Sequence, residues 1–369
     1  MSVASDVLVI GGGPAGTAAA IWAAQCGLRV VLLERTKFPR HRPGETLHPG
    51  AEPILKQLSV ALEVVANAEV RHEGQTTVWA GRHSSAQFGS DSGGPWLGYQ
   101  ISRERLDAIL IDRARCLGVR VLQPEAAVGR PIVSGGRVSG LMCSEPYLAK
   151  FVVDASGMRG FLRRTLGLAQ MTASPPLRAH YGYGIGQSGQ REVIPSLVGD
   201  EHGWVWTAKV GNRTFTWTRL DFEPDDCRSG LAPSLPGVEW HKPVRGADVT
   251  WRIVPACAGP GYFIAGDAAA VVDPASSHGV LRAMMSGIMA AHVVSNVLSR
   301  SVGESDGADH YKAWLSSWFE QDVRRLRAFY GSVTSSLAWA DNRWASEGRI
   351  HRSGQSEVRR SDLVQRQAP

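Results

Sequence analysis

The chain has 369 residues, 43% of them hydrophobic and 20% charged, with a formal net charge of +6 and a pI near 9.2. Those proportions exclude a disordered or collagen-like chain, and dispersed arginines without a nucleic-acid motif exclude a nucleic-acid reader. Five cysteines (Cys26, Cys116, Cys143, Cys227, Cys257) stand far apart, with no CxxC and no His cluster at ligand spacing, which excludes a disulfide framework or a zinc site and points to a reducing, cytoplasmic compartment.

The start, "MSVASDVLVIGGG", has no basic stretch before its apolar run and reads as a first β-strand, not a signal peptide. No uninterrupted apolar run reaches the roughly 18 to 20 residues of a membrane span, so no membrane partner is expected. "DVLVIGGGPAGTAAAIWAAQCGLRVVLLER" reads as a strand over Val7 to Ile10, a tight turn, an Ala-rich helix over Ala15 to Gln25 stopped at Gly27, and a second strand over Val30 to Leu33. Gly11, Gly13 and Gly16 stand in G-x-G-x-x-G register between strand and helix, and Glu34 ends the next strand. That context makes a dinucleotide fingerprint: the glycines let the backbone approach a pyrophosphate on the helix N-terminus, and Glu34 accepts hydrogen bonds from a ribose diol. Ala15, which opens the helix, and Arg35, beside Glu34, belong to the same cofactor set.

Residues 40–50, "RHRPGETLHPG", carry too many breakers for helix or strand and make a rigid, charged loop. "SRERLDAILIDRARCLGV" places Leu106, Ile109, Leu110, Ala114 and Leu117 at helical spacing behind a Ser102 cap. "AAVGRPIVSGGRVSGLMCS" predicts a hairpin turning at Gly135-Gly136, and "KFVVDASGMRG" a buried strand ending in a polar turn. "YGYGIG" mimics a glycine fingerprint, but no buried strand precedes it and no helix follows. "GWVWTAKV" and "RTFTWTRL" flank Gly211-Asn212, a hairpin signal that sets Trp206 opposite Trp217, with Trp204 on the same face. The first style returns in "WRIVPACAGPGYFIAGDAAAVVDP", and "HGVLRAMMSGIMAAHVVSNVLSR" opens a long helix in which Met284, Met285 and Met289 fill core. Residues 308–346 read as helical, and 350–369 as a mobile tail.

The expected fold class is α/β: a discontinuous Rossmann-like dinucleotide domain (1–55, 96–170 and 251–300) with an inserted β-sheet substrate domain (56–95 and 171–250) and C-terminal helices (301–349).

"GYFIAGDAAAVVDP" resembles the second flavin signature of FAD-dependent aromatic monooxygenases. The resemblance implies FAD as the cofactor, with Asp267 on a ribityl hydroxyl. Pro274 and its turn would lead into a helix from near Gly279 whose N-terminus points at the flavin pyrimidine edge. "VVDASGMRG" resembles the third signature, with Ala155-Ser156 where many members have Asp-Gly, and Arg103 matches the family arginine that reaches the cofactor. Residues 40–50 are then the loop along FAD. Arg42 would neutralise phosphate, Gly44 would allow close backbone approach, and Pro43 and Pro49 would hold the loop in shape. Glu45, Thr46 and His48 would face the flavin or the substrate cavity.

"PGETLHPG", "GWVWTA" with "WTRL", and "DPASSHGVLRAMMSG" together are similar to the flavoprotein branch that includes tryptophan halogenases, and within it to the monooxygenases that mature tryptophylquinone cofactors. Halogenases of the branch carry a Lys near the flavin; the corresponding "EGQTTVWAGRH" offers Trp79 and no Lys. The resemblance thus implies an FAD monooxygenase, with NAD(P)H as transient reductant, hydroxylating a tryptophan of a precursor protein through a flavin hydroperoxide. Glu45, His48 and His278 are the candidate bases, and Trp204, Trp206 and Trp217 the candidate aromatic wall. The alternatives are a halogenase, hydroxylase or reductase of a small molecule, and a non-catalytic flavin-bound maturation chaperone.

Overall fold

The computed structural model describes residues 3–124, 129–187, 194–222, 232–241 and 244–333. Strands β1 (Val3–Ile10) and β2 (Val30–Leu33) are the apolar runs, and Val7 to Ile10 and all of β2 are buried. The helices are α1 (Pro14–Gln25), α2 (Glu52–Gln57), α3 (Ala61–Asn67), α4 (Arg103–Cys116), α5 (Phe161–Thr165), α6 (Gly279–Leu298) and α7 (Glu304–Val333).

The first sheet runs Arg120–Leu122, β2, β1, Pro146–Asp154, Arg137–Met142, Arg130–Ser134. Its first four strands are mutually parallel, and Tyr262–Ile264 adds a fifth parallel partner along the C-terminal half of Pro146–Asp154. Gly11, Glu34, Ala155 and Gly266 follow the carboxyl ends of these strands, the place where doubly wound sheets hold ligands. Local chemistry explains the boundaries. α1 stops where Gly27 turns left-handed (φ +78°) and Leu28 N–H bonds the Ala23 carbonyl. Ser102 Oγ accepts from Arg105 N–H at 3.3 Å to start α4. Gly135 and Gly136, at φ +57° and +77°, make the two-residue hairpin turn. Gly287 lets α6 cross α1 closely, since a Cβ there would lie 2.0 Å from the Ala15 carbonyl oxygen. α6 is long and apolar enough, by length and composition, to cross a membrane, and 44% of it is buried within the protein. The expected domain border after residue 55 falls inside α2, and α2, α3 and the turn between them bury Leu55, Leu58, Val60 and Val64 in the first core, where α3 meets α4.

The second sheet runs Val238–Trp240, Arg178–Gly186, Thr214–Asp221, Gly203–Lys209, Ser196–Asp200, Gly74–Trp79, Arg82–Gln87, and Arg245–Asp248 also pairs with Arg178–Gly186. "YGYGIG" lies within a strand, and its Gly182 leaves room for the Trp217 indole: a Cβ there would sit 2.8 Å from Nε1. The hairpin register corrects the expected Trp pairing. Trp206 pairs with Thr218, and Trp217 with Thr207. Val210 N–H bonds the Thr214 carbonyl, so the turn holds Gly211, Asn212 and Arg213 rather than two residues. One extra residue moves Trp217 to the opposite face of the sheet. A second core forms where α7 lays Phe319, Val323, Leu326 and Tyr330 against Trp79, Leu197, Trp204, Leu220 and Trp251. The tail and the end of the expected C-terminal helix, 334–369, lie outside the described residues.

Candidate active site

A cleft of about 1140 Å³ lies between the two sheets, above the usual size for one small ligand and with room for a dinucleotide and a second molecule. Its floor at one end is the glycine turn. Gly11 has φ +100°, and a Cβ on it would meet the Ala155 carbonyl oxygen at 2.4 Å; one on Gly16 would lie 1.9 Å from the Gly11 carbonyl oxygen. A Cβ on Gly13, by contrast, meets only Arg40 Nη2 at 3.4 Å. Gly13 therefore faces open space at the amino end of α1, where no side chain caps the helix and no acid occupies the first turn. Free amides and a positive dipole end beside a gap suit a diphosphate.

Glu34 is 2% exposed and accepts from Gly12 N–H (2.7 Å), Thr36 N–H (2.8 Å) and Arg40 Nη1 (3.1 Å). Arg40, in the charged loop, also approaches Asp107 at 3.6 Å, and Arg103 grips Asp107 with two bonds, Nε–Oδ1 at 3.0 Å and Nη2–Oδ2 at 3.2 Å. Two guanidinium groups and two carboxylates balance, which is how buried charge is tolerated. Arg40 was not singled out from the sequence, although it opens "RHRPGETLHPG". Arg103 donates its third bond to the Pro43 carbonyl at 3.1 Å, and Gly44 (φ +106°) passes between Arg103 Nη1 and Val280 Cγ2, each 3.5 Å from where its Cβ would be. Thr46 Oγ1 bonds Gln100 and pins the far end of the loop. Arg35 and Arg42 are exposed on the cleft rim, with Arg159 and Arg164.

Asp267 opens onto the cleft and is shielded by protein on its other sides. Burial raises its pKa, opposed by Arg103 and Arg252. No described residue hydrogen-bonds this carboxyl, so it is placed to receive a ligand hydroxyl. Beyond it, Pro274, Ser276 and Ser277 (φ +52°, left-handed) turn the chain into α6, whose amino end at Gly279 borders the cleft without a side-chain cap. These residues fit FAD: glycine cradle for the diphosphate, free carboxyl for a ribityl hydroxyl, helix end for the electron-rich edge of the ring.

Of the three candidate bases, the structure brings one to the cleft. Glu45 is 6% exposed and lines it. Its Oε1 accepts from the Tyr183 hydroxyl at 2.5 Å and its Oε2 from Gly44 N–H at 2.9 Å. Burial pushes the Glu45 pKa up, while Tyr183 and Gly44 hold it down in part. His48 and His278 do not border the cleft; their rings pack against each other at a 42° tilt with centroids 5.2 Å apart. His48 Nδ1 accepts from Gly50 N–H at 3.0 Å, and burial lowers its pKa. His278 is pushed down to about 4 by burial, with Arg282 and His48 adding repulsion, so it is neutral at pH 7.

Of the three candidate tryptophans, Trp204 and Trp206 face the cleft and Trp217 does not. Trp204 is 2% exposed and donates from Nε1 to the Tyr330 hydroxyl at 2.9 Å. Tyr330 and Trp251 in turn donate to Asp273 Oδ2 at 3.0 and 2.8 Å, and Ala275 N–H bonds Oδ1. Asp273 is fully buried, and desolvation raises it to about 6. Its place at the start of the turn was visible in "VVDP", but its partners lie 22 and 57 residues away, beyond the reach of sequence reasoning.

The geometry defines a dinucleotide-binding flavoprotein, and a family model described as an FAD binding domain matches residues 4–315. The chain belongs to that family, and its cofactor is FAD. It is similar to the tryptophan 2-halogenase of Chondromyces crocatus, 27% identical over 365 residues that cover 88% of this chain and 68% of that one. It is also similar to the menaquinone reductase of Mycolicibacterium smegmatis, 27% identical over 336 residues, 80% of this chain and 78% of that one. The solved flavin-dependent halogenase CmlS superposes with a TM-score of 0.78 at 25% identity, over 92% of this chain and 67% of its own. The flavin-dependent brominase Bmp2, with a TM-score of 0.76 and 20% identity over 89% of this chain and 87% of its own, shares the fold. The chain is thus a halogenase-like flavin enzyme.

Proposed function

We propose that the protein is an FAD-dependent monooxygenase that adds oxygen to an aromatic ring, and that the ring is a tryptophan side chain presented by a partner polypeptide. The observation that carries this reading is the cleft wall. The carboxyls that line it are Glu34, Glu45, Asp267 and Asp273, and among the described residues no Lys borders the cleft. Bound FAD supplies electron transfer and the activation of dioxygen, with NAD(P)H as a transiently visiting reductant. The chain does the rest. Arg103 and Gly44 set the loop, the uncapped α6 amino end would favour negative charge on a group bound in the cleft, and the second sheet would keep water from one side. Glu45, steadied by Tyr183 O–H and Gly44 N–H, takes the proton released from the substrate ring at a carboxylate oxygen.

A macromolecular partner is supported by the rim, where Arg35, Arg42, Arg159 and Arg164 have no carboxylate bridged to them among the described residues and Met158 is 48% exposed. Such a rim suits an acidic surface carrying an apolar side chain, as a tryptophylquinone precursor protein would have to offer. Halogenation is the second reading, favoured by the likeness to tryptophan 2-halogenase. One experiment separates them. The FAD-loaded protein is given NADH or NADPH, air, bromide and either an acidic tryptophan-containing peptide or free tryptophan, and products are weighed by mass spectrometry. The expected result is gain of one oxygen on the peptide and no bromination. Bromide incorporation makes the protein a halogenase; binding without substrate-stimulated NAD(P)H oxidation makes it a flavin-bound chaperone.

A further inference from the structure

The substrate face of the second sheet carries a row that the hydrogen-bond register places side by side. Leu197 pairs with Trp206, Trp206 with Thr218, and Thr218 with Tyr181. Directly paired residues point to the same face of a sheet, and all four border the cleft. Strand spacing of roughly 4.8 Å sets the Trp206 and Tyr181 backbones roughly 10 Å apart, with Thr218 between them. A flat ring in contact with both aromatic walls needs about 7 to 8 Å between wall planes, so the row has room for one ring and not for two. Trp206, Tyr181 and Thr218 are all half-buried and keep free surface toward the cleft. Their polar atoms, the indole N–H, the phenol and the Thr hydroxyl, make no hydrogen bond with the described residues. Trp204 differs: it is enclosed and its N–H is spent on Tyr330.

We propose that Trp206 and Tyr181 are the walls, and Thr218 the floor, of a slot for a single planar aromatic ring that carries an N–H or O–H on its edge. The slot rests on the aromatic-oxygenation reading for its purpose, but its existence is tested by binding alone. Thr218 is then a specificity-determining residue, because its hydroxyl can donate to or accept from the polar edge of an indole or phenol and has nothing to offer a hydrocarbon ring.

The test titrates the FAD-loaded protein with indole and with indene, its carbon analogue lacking the N–H, and follows the flavin absorbance. Wild type should bind indole roughly 3- to 10-fold more tightly than indene, the worth of one net hydrogen bond. Thr218→Val, of similar shape without the hydroxyl, should bind both alike, and Thr218→Ser should restore the preference. Trp206→Leu should weaken both ligands by a similar factor while keeping the flavin. A Thr218→Val protein that still prefers indole, a Trp206→Leu protein that binds as wild type, or a wild type without saturable indole binding would each overturn the slot. If the preference behaves as expected and no aromatic ring is ever oxygenated, the slot stands and the oxygenation reading falls. If rings are oxygenated and Thr218→Val changes nothing, the reverse holds.

Discussion

A methyl group added at Gly16 and one added at Gly13 meet opposite surroundings. At Gly16 it would lie 1.9 Å from the Gly11 carbonyl oxygen; at Gly13, whose φ is −78°, it meets only the end of the Arg40 side chain. Gly16→Ala should therefore destabilise the fold by about 2 kcal/mol or more, as overpacking against backbone does. Gly13→Val should keep the melting temperature of the flavin-free protein to within about 1 kcal/mol of stability, yet purify colourless because the branched side chain occupies the diphosphate gap. Thermal melts and the visible spectrum of the two proteins check this pair together. Glu45 gives a second test at this scale. Its raised pKa keeps it protonated further toward neutrality than an exposed carboxyl, and a base must be ionised to work. Product formation should rise with pH through that elevated pKa, and Glu45→Gln should retain FAD but lose both the activity and the rising limb. His48, committed to Gly50 and away from the cleft, is the control: His48→Ala should change turnover far less than Glu45→Gln.

At the scale of elements, α7 is tied to the cleft by a chain of polar contacts buried between two sheets. Trp204 reaches Tyr330, and Tyr330 and Trp251 reach Asp273, on the turn that leads into α6. Tyr330→Phe leaves the Trp204 N–H without its acceptor and Asp273 with one donor fewer, and should cost about 1 to 3 kcal/mol. The pH dependence has a definite sign. The folded pKa of Asp273, about 6, lies above the value near 3.9 of an unfolded aspartate. Its stabilising contribution is therefore full below about pH 4 and is lost as the pH rises through 6. Relative to Asp273→Asn, whose side chain does not titrate, the wild type should lose about 2 kcal/mol between pH 4 and pH 7. Denaturant melts of both proteins across that range measure the difference, and a flat difference would assign the carboxyl an ordinary pKa.

For the whole molecule, the cleft is the seam between the parallel sheet and the second sheet, with α6 along one wall and α7 packed beside it on the cleft-facing side of the second sheet. A ligand filling the seam binds only the folded arrangement, so FAD at 100 times its dissociation constant should add about 2.7 kcal/mol. The melting temperature should climb with FAD concentration in wild type and stay constant in Gly13→Val.

What sequence by itself determined is local. The unit β1–turn–α1–β2, the Ser102 cap and the Gly135-Gly136 turn each rest on contacts among near neighbours, where spacing and residue type are enough. The glycine fingerprint, Glu34, the loop at 40–50 and Asp267 could be named because cofactor cradles are built from turns at strand ends, and turns are written in consecutive residues. The tertiary structure decided what depends on distant chain. Whether the hairpin after Gly203 turned on two residues or three was settled together with the strands pairing on either side of it, and that one-residue choice sent Trp217 away from the cleft and set Thr218 beside Trp206. Glu45 is held at the cleft by Tyr183, 138 residues away. Side-chain burial and charge pairing are long-range quantities, and residues this far apart in sequence acquire them only when the two sheets close on one another.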